Sequence, residues 1–125
     1  MESAIQYIDE NINRFRHNLE DIKTKLNENG FQYLLSQKAY DAFKNEWLLN
    51  IFENLKDLFN ECKEEKEGLK IYLENEISRY ERIRLYGKVM PYSTNPMSNI
   101  TSIWTFECIG QLIQMLTIIK NKIVL

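Results

Sequence analysis

SAIQYIDENINRFRHNLEDIKTKLNENG, residues 3–30, places apolar residues at alternating intervals of three and four positions over three heptads. This spacing puts the apolar residues on one face of an α-helix, and the residues between them are mostly polar. A helix with one apolar edge must bury that edge against other helices. The stretch therefore predicts a helix within a helical assembly, and its apolar seam is Ile5, Ile8, Ile12, Phe15, Leu19, Ile22 and Leu26.

The same stretch contains signals for both ends of this helix. Ser3 is a residue type that caps helix N-termini. Gly30 suits the position after the last helical residue, where a left-handed backbone costs glycine little, and Phe31 could then contact Leu26 in a Schellman closure. We therefore expect the first helix to run from Ser3 to Asn29.

A second, broader apolar stripe follows, and its helix should begin between Phe31 and Ala39 with Ser36 as its cap. At about 100° per residue the apolar residues fall within one sector, and acidic residues lie opposite. Such a wide stripe is typical of a helix that packs against two neighbours. The stripe comprises Tyr40, Trp47, Leu48, Ile51, Phe52, Leu55, Leu58, Phe59 and Cys62.

The charged segment CKEEKEG, residues 62–68, leaves two interpretations open. The chain breaks at Gly68 and turns into a third, antiparallel helix, or one helix continues to Leu85. The apolar residues after Gly68 keep the phase of the preceding stripe, which favours continuity. A continuous rod would leave apolar residues uncovered unless a second copy covered them. We therefore favour a break or sharp kink at Gly68.

Residues 87–98, GKVMPYSTNPMS, contain both prolines and predict an irregular segment. The last helix should run from about Ile100 to near Val124, and it is apolar on nearly every side, as is typical of a helix at the centre of a core. It is also long enough to span a membrane. Glu107 lies within it, however, and a charge near the bilayer centre costs about 2.5–3.5 kcal/mol. We expect a buried helix and no membrane contact.

These patterns together predict an all-α fold, a compact bundle of three to four long antiparallel helices that forms a single domain over residues 1–125. The apolar fraction of 44% and the charged fraction of 27% are ordinary for a soluble globular domain. A formal charge of −2 provides no general attraction to nucleic acid.

The N-terminal sequence MESAIQYIDE has neither the basic region nor the uninterrupted apolar core of a signal peptide. Cys62 and Cys108 lack the spacing of metal ligands and form no disulfide framework. We therefore expect a cytoplasmic protein in which both cysteines are reduced and buried.

Motifs for catalysis are missing from the sequence. His17 is the single histidine, which excludes a site with two histidine ligands within one chain, and its position opposite the seam predicts an exposed side chain. There is no glycine-rich phosphate loop, no G-x-S-x-G and no C-x-x-C. Glu107 should either point out of the bundle or pair with an arginine. We expect no catalytic residues, no metal, no cofactor and no enzymatic activity.

Basic and aromatic residues alternate at the end of the third predicted helix and in the proline-containing segment. Arginines near a helix C-terminus can simply favour the helix dipole and pair with nearby glutamates. Arginine and tyrosine are also enriched in protein interfaces, and together they can bind phosphates and stack on bases. The candidate partner-binding residues are Arg79, Arg82, Arg84, Tyr86, Lys88 and Tyr92.

The segment RIRLYG, residues 82–87, loosely resembles the arginine-rich helix end of the HEPN ribonucleases, which are small helical bundles. Tyr86 is the nearest counterpart of the catalytic histidine of that family. The resemblance covers a few residues and implies at most a degenerate relative without the ribonuclease histidine, so we assign no family from it.

The sequence therefore favours a non-enzymatic protein-binding module, an inhibitor that occupies the surface of a partner protein. Immunity proteins, antitoxins and phage anti-defence proteins are inhibitors of this class, and this comparison is by class alone. The alternative is an RNA-binding helical subunit of a ribonucleoprotein. A second copy of the chain, giving a homodimer, is a further candidate partner.

Overall fold

A computed structural model of the chain describes residues 1–36, 38–86 and 96–125. These residues form four α-helices, a short 3-10 helix over Phe31–Leu35, and no strand. The prediction of an all-α helical bundle is thereby confirmed. The helices are α1 (Glu2–Asn29), α2 (Lys38–Glu61), α3 (Lys66–Tyr86) and α4 (Pro96–Lys122).

The chain divides into two compact units. One unit comprises Met1–Ala4 together with Cys62–Leu125, and the other comprises Ile5–Glu61. A single domain over residues 1–125 stays a prediction.

In the unit of residues 5–61, α1 and α2 form an antiparallel pair. Near one end, Lys56 Nζ lies 2.9 Å from Asp9 Oδ1. Further along α1, Asn18 Nδ2 donates a hydrogen bond of 3.0 Å to Asn45 Oδ1. Residue numbers thus rise along α1 while those of the contacted residues fall along α2.

The apolar seams of α1 and α2 supply the buried side chains of this unit. Phe15 and Phe52 meet edge to face, with ring centroids 5.4 Å apart. This arrangement is favourable for two aromatic rings beyond the area they bury. Helix α1 forms as predicted, but it begins at Glu2, so Ser3 lies within it and is not its N-cap. Of its predicted seam, Ile5, Leu19 and Leu26 are only half-buried. The buried apolar residues of the unit are Ile8, Ile12, Phe15, Ile22, Leu48, Phe52, Leu55 and Phe59.

Gly30 ends α1, but with a backbone that differs from the expected one. Its φ is 74° and its ψ is −173°, a region that glycine alone adopts readily and that lies away from the left-handed helix. Its N–H donates a hydrogen bond of 2.8 Å to the carbonyl of Leu26. Phe31 is 82% exposed, so the predicted packing of Phe31 on Leu26 is wrong.

Ser36 does not begin α2 as expected. Its hydroxyl donates a hydrogen bond of 2.9 Å to the carbonyl of Tyr33, within the turn that closes the 3-10 helix. Helix α2 begins two residues later, at Lys38. A serine hydroxyl can donate to a carbonyl behind it or accept from an N–H ahead of it, and here it donates to the carbonyl of Tyr33.

The break between α2 and α3 lies at residues 62–65 and not at Gly68. The N–H of Glu65 donates to the carbonyl of Cys62 over 2.9 Å, which closes a turn. The N–H of Leu69 then donates to the carbonyl of Glu65 over 2.9 Å and opens α3. Gly68 is the third residue of α3. Acidic residues on both sides of this start, Glu64, Glu65 and Glu67, favour a helix N-terminus.

In the unit that contains α3 and α4, Leu69 and Leu73 are buried on α3. Helix α4 begins at Pro96, earlier than the expected Ile100. Proline suits a first helical position because the N–H that it lacks would have no partner within the helix. The buried residues of α4 and of the segment after it are Cys108, Ile109, Leu112, Met115, Leu116, Ile119 and Ile123.

Helix α4 is not buried on every side. Ile100, Ile103 and Ile118 are exposed. Within the described residues, Asn99–Lys122 is long and apolar enough to cross a membrane, as core helices of soluble proteins can also be. Of this apolar stretch, 33% is buried. The absence of membrane contact and the cytoplasmic location stay predictions.

Candidate functional site

The predicted partner-binding residues fall on the last two turns of α3, as far as the structure describes them. Arg79, Arg82, Arg84 and Tyr86 lie on this helix end, and every residue from 81 to 86 is exposed. Lys88 and Tyr92 lie outside the described residues.

Arg79 is held by its own helix. Its Nη2 donates a hydrogen bond of 2.8 Å to Glu76 Oε2, and its guanidinium carbon lies 4.4 Å from the centroid of the Tyr80 ring. The hydrogen bond to Glu76 raises the pKa of Arg79 above its ordinary value. Arg79 therefore pairs with a nearby glutamate, as one interpretation of these arginines expects. That interpretation does not require a partner protein or a nucleic acid.

Arg84 leans over α4. Its guanidinium carbon lies 3.8 Å from the position that a Cβ atom on Gly110 would occupy. The guanidinium at the tip of the Arg84 side chain thus lies against α4 at a residue without a side chain. The residue nevertheless remains exposed, so its charge contributes to the surface around the end of α3.

Arg82, Leu85 and Tyr86 form what we name the α3 end surface. Leu85 is 73% exposed and Tyr86 is 69% exposed. At about 100° per residue the three side chains project on one side of α3, away from the side that buries Leu69 and Leu73.

Sequence reasoning missed Leu85. The signal was its position, since Leu85 lies off the helical face that carries Leu69 and Leu73. A large apolar residue outside the buried face of its helix must be exposed unless a partner covers it.

Tyr72, further back on α3, and Ile83 are also exposed. Burial raises the pKa of the Tyr72 phenol, and the negative charge of Glu76 raises it further. Tyr72 and Glu76 are one helical turn apart, so this influence places the two side chains on the same face of α3.

The remaining candidates show no assembled chemical site. His17 is exposed, as predicted, and Glu107 is exposed, so of its two expected placements the outward one is realised. Cys108 is buried and Cys62 half-buried, which corrects the expectation of burial for Cys62. Within the part of the chain that the structure describes, no three His, Cys, Asp or Glu side chains gather as metal ligands would.

No family model matches this sequence, and no curated protein or solved structure is significantly similar to it.

Proposed function

We propose that this protein is a non-enzymatic binding module that occupies the surface of a partner protein through the α3 end surface. The observation that supports this most is the exposure of Leu85 and Tyr86 beside Arg82 at the end of a long helix. Lone apolar side chains on a surface are normal, but two adjacent ones beside an arginine have the composition of an interface hot spot.

Covering these side chains would release substantial free energy. Full burial of a leucine side chain is worth about 1.5–3 kcal/mol, and tyrosine adds a ring together with a hydroxyl that can hydrogen-bond. Helix α3 holds both side chains before binding, so few backbone torsions would have to be ordered in the complex.

The charge of the surface indicates what the partner should carry. Arg82 within the surface is basic, and so is the exposed Arg84 at the same helix end, although the chain as a whole has a formal charge of −2. A partner with an apolar patch bordered by carboxylates would match both the apolar and the charged side chains. An inhibitor of the immunity, antitoxin or anti-defence type would act by covering such a patch on its target.

The test is affinity capture from the native host by the full chain, with mass spectrometry and nucleic-acid staining of the captured material. We compare the unmodified chain with Arg82→Glu, Leu85→Ser and Tyr86→Ala. The matched control is Lys23→Glu, which makes the same change in charge at an exposed position on α1. The proposal predicts one protein captured by the unmodified chain and the control, and lost with each α3 variant.

Capture that all three α3 variants retain would contradict the proposal. Capture of RNA that falls steeply with salt and disappears after nuclease treatment would instead support the RNA-binding alternative. Circular dichroism of each variant separates a lost surface from a lost fold, because exposed side chains at a helix end should change the thermal midpoint little.

A further inference from the structure

Four residues on α3 form a second feature, which we name the α3 seam: Tyr72, Glu76, Arg79 and Ile83. Their intervals are four, three and four, so they lie on one face over three turns of the helix. Tyr72 is 40% exposed and Ile83 is 37% exposed, and the Glu76–Arg79 ion pair lies between them.

The order of side chains in the α3 seam is self-complementary. When two copies of α3 lie antiparallel about a two-fold axis between residues 77 and 78, position 76 faces position 79 of the other copy. In the same register, position 72 faces position 83. Glutamate then faces arginine twice, and tyrosine faces isoleucine twice. This is the reciprocal pattern that a two-fold interface requires.

We propose that the α3 seam is a docking surface for a second copy of this chain, joined antiparallel along α3. The occupant is identified by charge and by order, because a glutamate and an arginine placed symmetrically about one point complement an inverted copy of themselves. In the single chain the two side chains pair with each other over 2.8 Å, and in the dimer each also faces its opposite charge across the axis.

The apolar pairs at the two ends of the seam provide the contact area. Tyr72 and Ile83 are eleven residues apart, roughly 16 Å along the helix at 1.5 Å per residue. A contact between the Tyr72 ring and an isoleucine is favourable on both sides of the axis. The inference is independent of the proposed partner, because Leu85 and Tyr86 lie beyond the seam.

The test is the mass of the full chain in sedimentation over a range of concentrations, for the unmodified protein and charge variants. The unmodified chain should reach twice the chain mass. Arg79→Glu and Glu76→Arg should each weaken self-association at least about tenfold, since like charges then face each other at both pairs. Lys23→Glu, an exposed charge reversal on α1, should leave it unchanged.

Two rescue experiments test the facing pairs, and the second, the mixture, separates an interface from a purely internal ion pair. The double variant Glu76→Arg with Arg79→Glu should recover the dimer, because its seam is again self-complementary. An equimolar mixture of the two single variants should form a mixed dimer, since every facing pair is then of opposite charge. Loss of the internal pair alone would affect both single variants and would not be repaired by mixing.

A monomeric unmodified chain at every concentration would overturn the inference. It would also be overturned by a dimer that both single variants retain at full strength, or by a mixture that stays monomeric while both components are helical by circular dichroism. Tyr72→Lys gives a check that does not involve the ion pair, and it should also shift the chain toward the monomer. None of these outcomes affects partner capture through the α3 end surface.

Discussion

Asn18 donates a hydrogen bond from Nδ2 to Asn45 Oδ1 over 3.0 Å and so joins α1 to α2. Asn45 is one of the two buried polar residues among those described, and its own Nδ2 donates to the carbonyl of Asp41 over 2.7 Å. A buried amide with partners for both its groups stabilises one register of the two helices over shifted ones, in which those groups would lose their bonds.

Removing one partner of the Asn18–Asn45 hydrogen bond should lower the free energy of unfolding more than replacing both partners by apolar residues. Asn18→Ala leaves the Asn45 oxygen buried without this donor and should lower the free energy of unfolding by about 1–3 kcal/mol. Asn18→Leu combined with Asn45→Leu should cost clearly less than the sum of the two single leucine variants, because neither helix then presents an unsatisfied amide. Urea unfolding of the four chains of this cycle is the measurement, and strictly additive costs would show that the bond couples nothing.

Alanine substitutions at two neighbouring residues of α1 should lower the free energy of unfolding by very different amounts. Phe15 is buried against Phe52, and Phe15→Ala should cost about 3–5 kcal/mol through lost burial and the cavity left behind. Arg16, one position further, pairs with Glu53 over 3.0 Å at the surface, and Arg16→Ala should cost less than about 1 kcal/mol. Thermal unfolding of both variants tests this, and equal costs would contradict the assigned faces of α1.

The glycines provide a matched pair of substitutions with opposite expected signs. Gly30→Ala should destabilise the chain by about 1–3 kcal/mol, because φ is 74° and strain arises even though the side chain would meet nothing within 4 Å. Gly110→Ala should stabilise it by about 0.5–1 kcal/mol, because Gly110 lies inside α4 and its new Cβ would meet only the Arg84 guanidinium at 3.8 Å or more. Chemical unfolding measures both, and the same sign for the two variants would refute the backbone assignment at Gly30.

Alkaline pH should destabilise the chain through Tyr7. Burial raises the pKa of the Tyr7 phenol above its ordinary value of 10.0, more than the charge of Arg14 and the hydrogen bond with Asn11 lower it. The folded chain therefore holds this proton more tightly than the unfolded chain does. The resulting stability is complete below pH about 10 and is lost as the pH rises through the folded pKa. Tyr7→Phe should flatten the fall in unfolding free energy between pH about 9 and about 11; an unchanged slope would count against the raised pKa.

Local pattern was sufficient for α1, since seven apolar residues at helical intervals and a glycine after them predicted its course to within one residue at the start. The break between α2 and α3 was harder to place from the sequence. Glycine is associated with helix ends, whereas Gly68 follows the start of α3. Acidic residues favour a helix N-terminus, and Glu64, Glu65 and Glu67 stand at the observed start of α3.

The spacing of three asparagines in the sequence indicated that they lie on the buried faces of their helices, although their polarity suggested exposure. Asn45 stands in the series 45, 48, 52, 55, 59, whose other members are buried apolar residues of α2. Asn11 and Asn18 stand in the series 4, 8, 11, 15, 18, 22 on α1, in which the apolar members are all buried. A polar residue within such a series is a candidate for an interhelical hydrogen bond, but its partner becomes known only when the register of two helices is known.

The candidate partner-binding residues could be told apart only in the folded chain. Arg79, Arg82 and Arg84 are equivalent in a sequence, whereas in the fold Arg79 pairs with Glu76 and Arg84 lies against Gly110. Leu85 was not among the candidate residues, and only the fold shows its exposure beside Tyr86 and Arg82.

We propose above that a partner protein covers the exposed end of α3. Hydrogen exchange measured by mass spectrometry, on the full chain alone and with the captured partner, is the decisive measurement for that proposal. Binding should slow amide exchange in the peptides that span residues 79–86, because amides near a helix end open readily until a partner covers them. We expect protection there and unchanged exchange in α1. Protection confined to α1 or to the 3-10 helix, with residues 79–86 unaffected, would show that the partner binds elsewhere and would rule out the proposed surface.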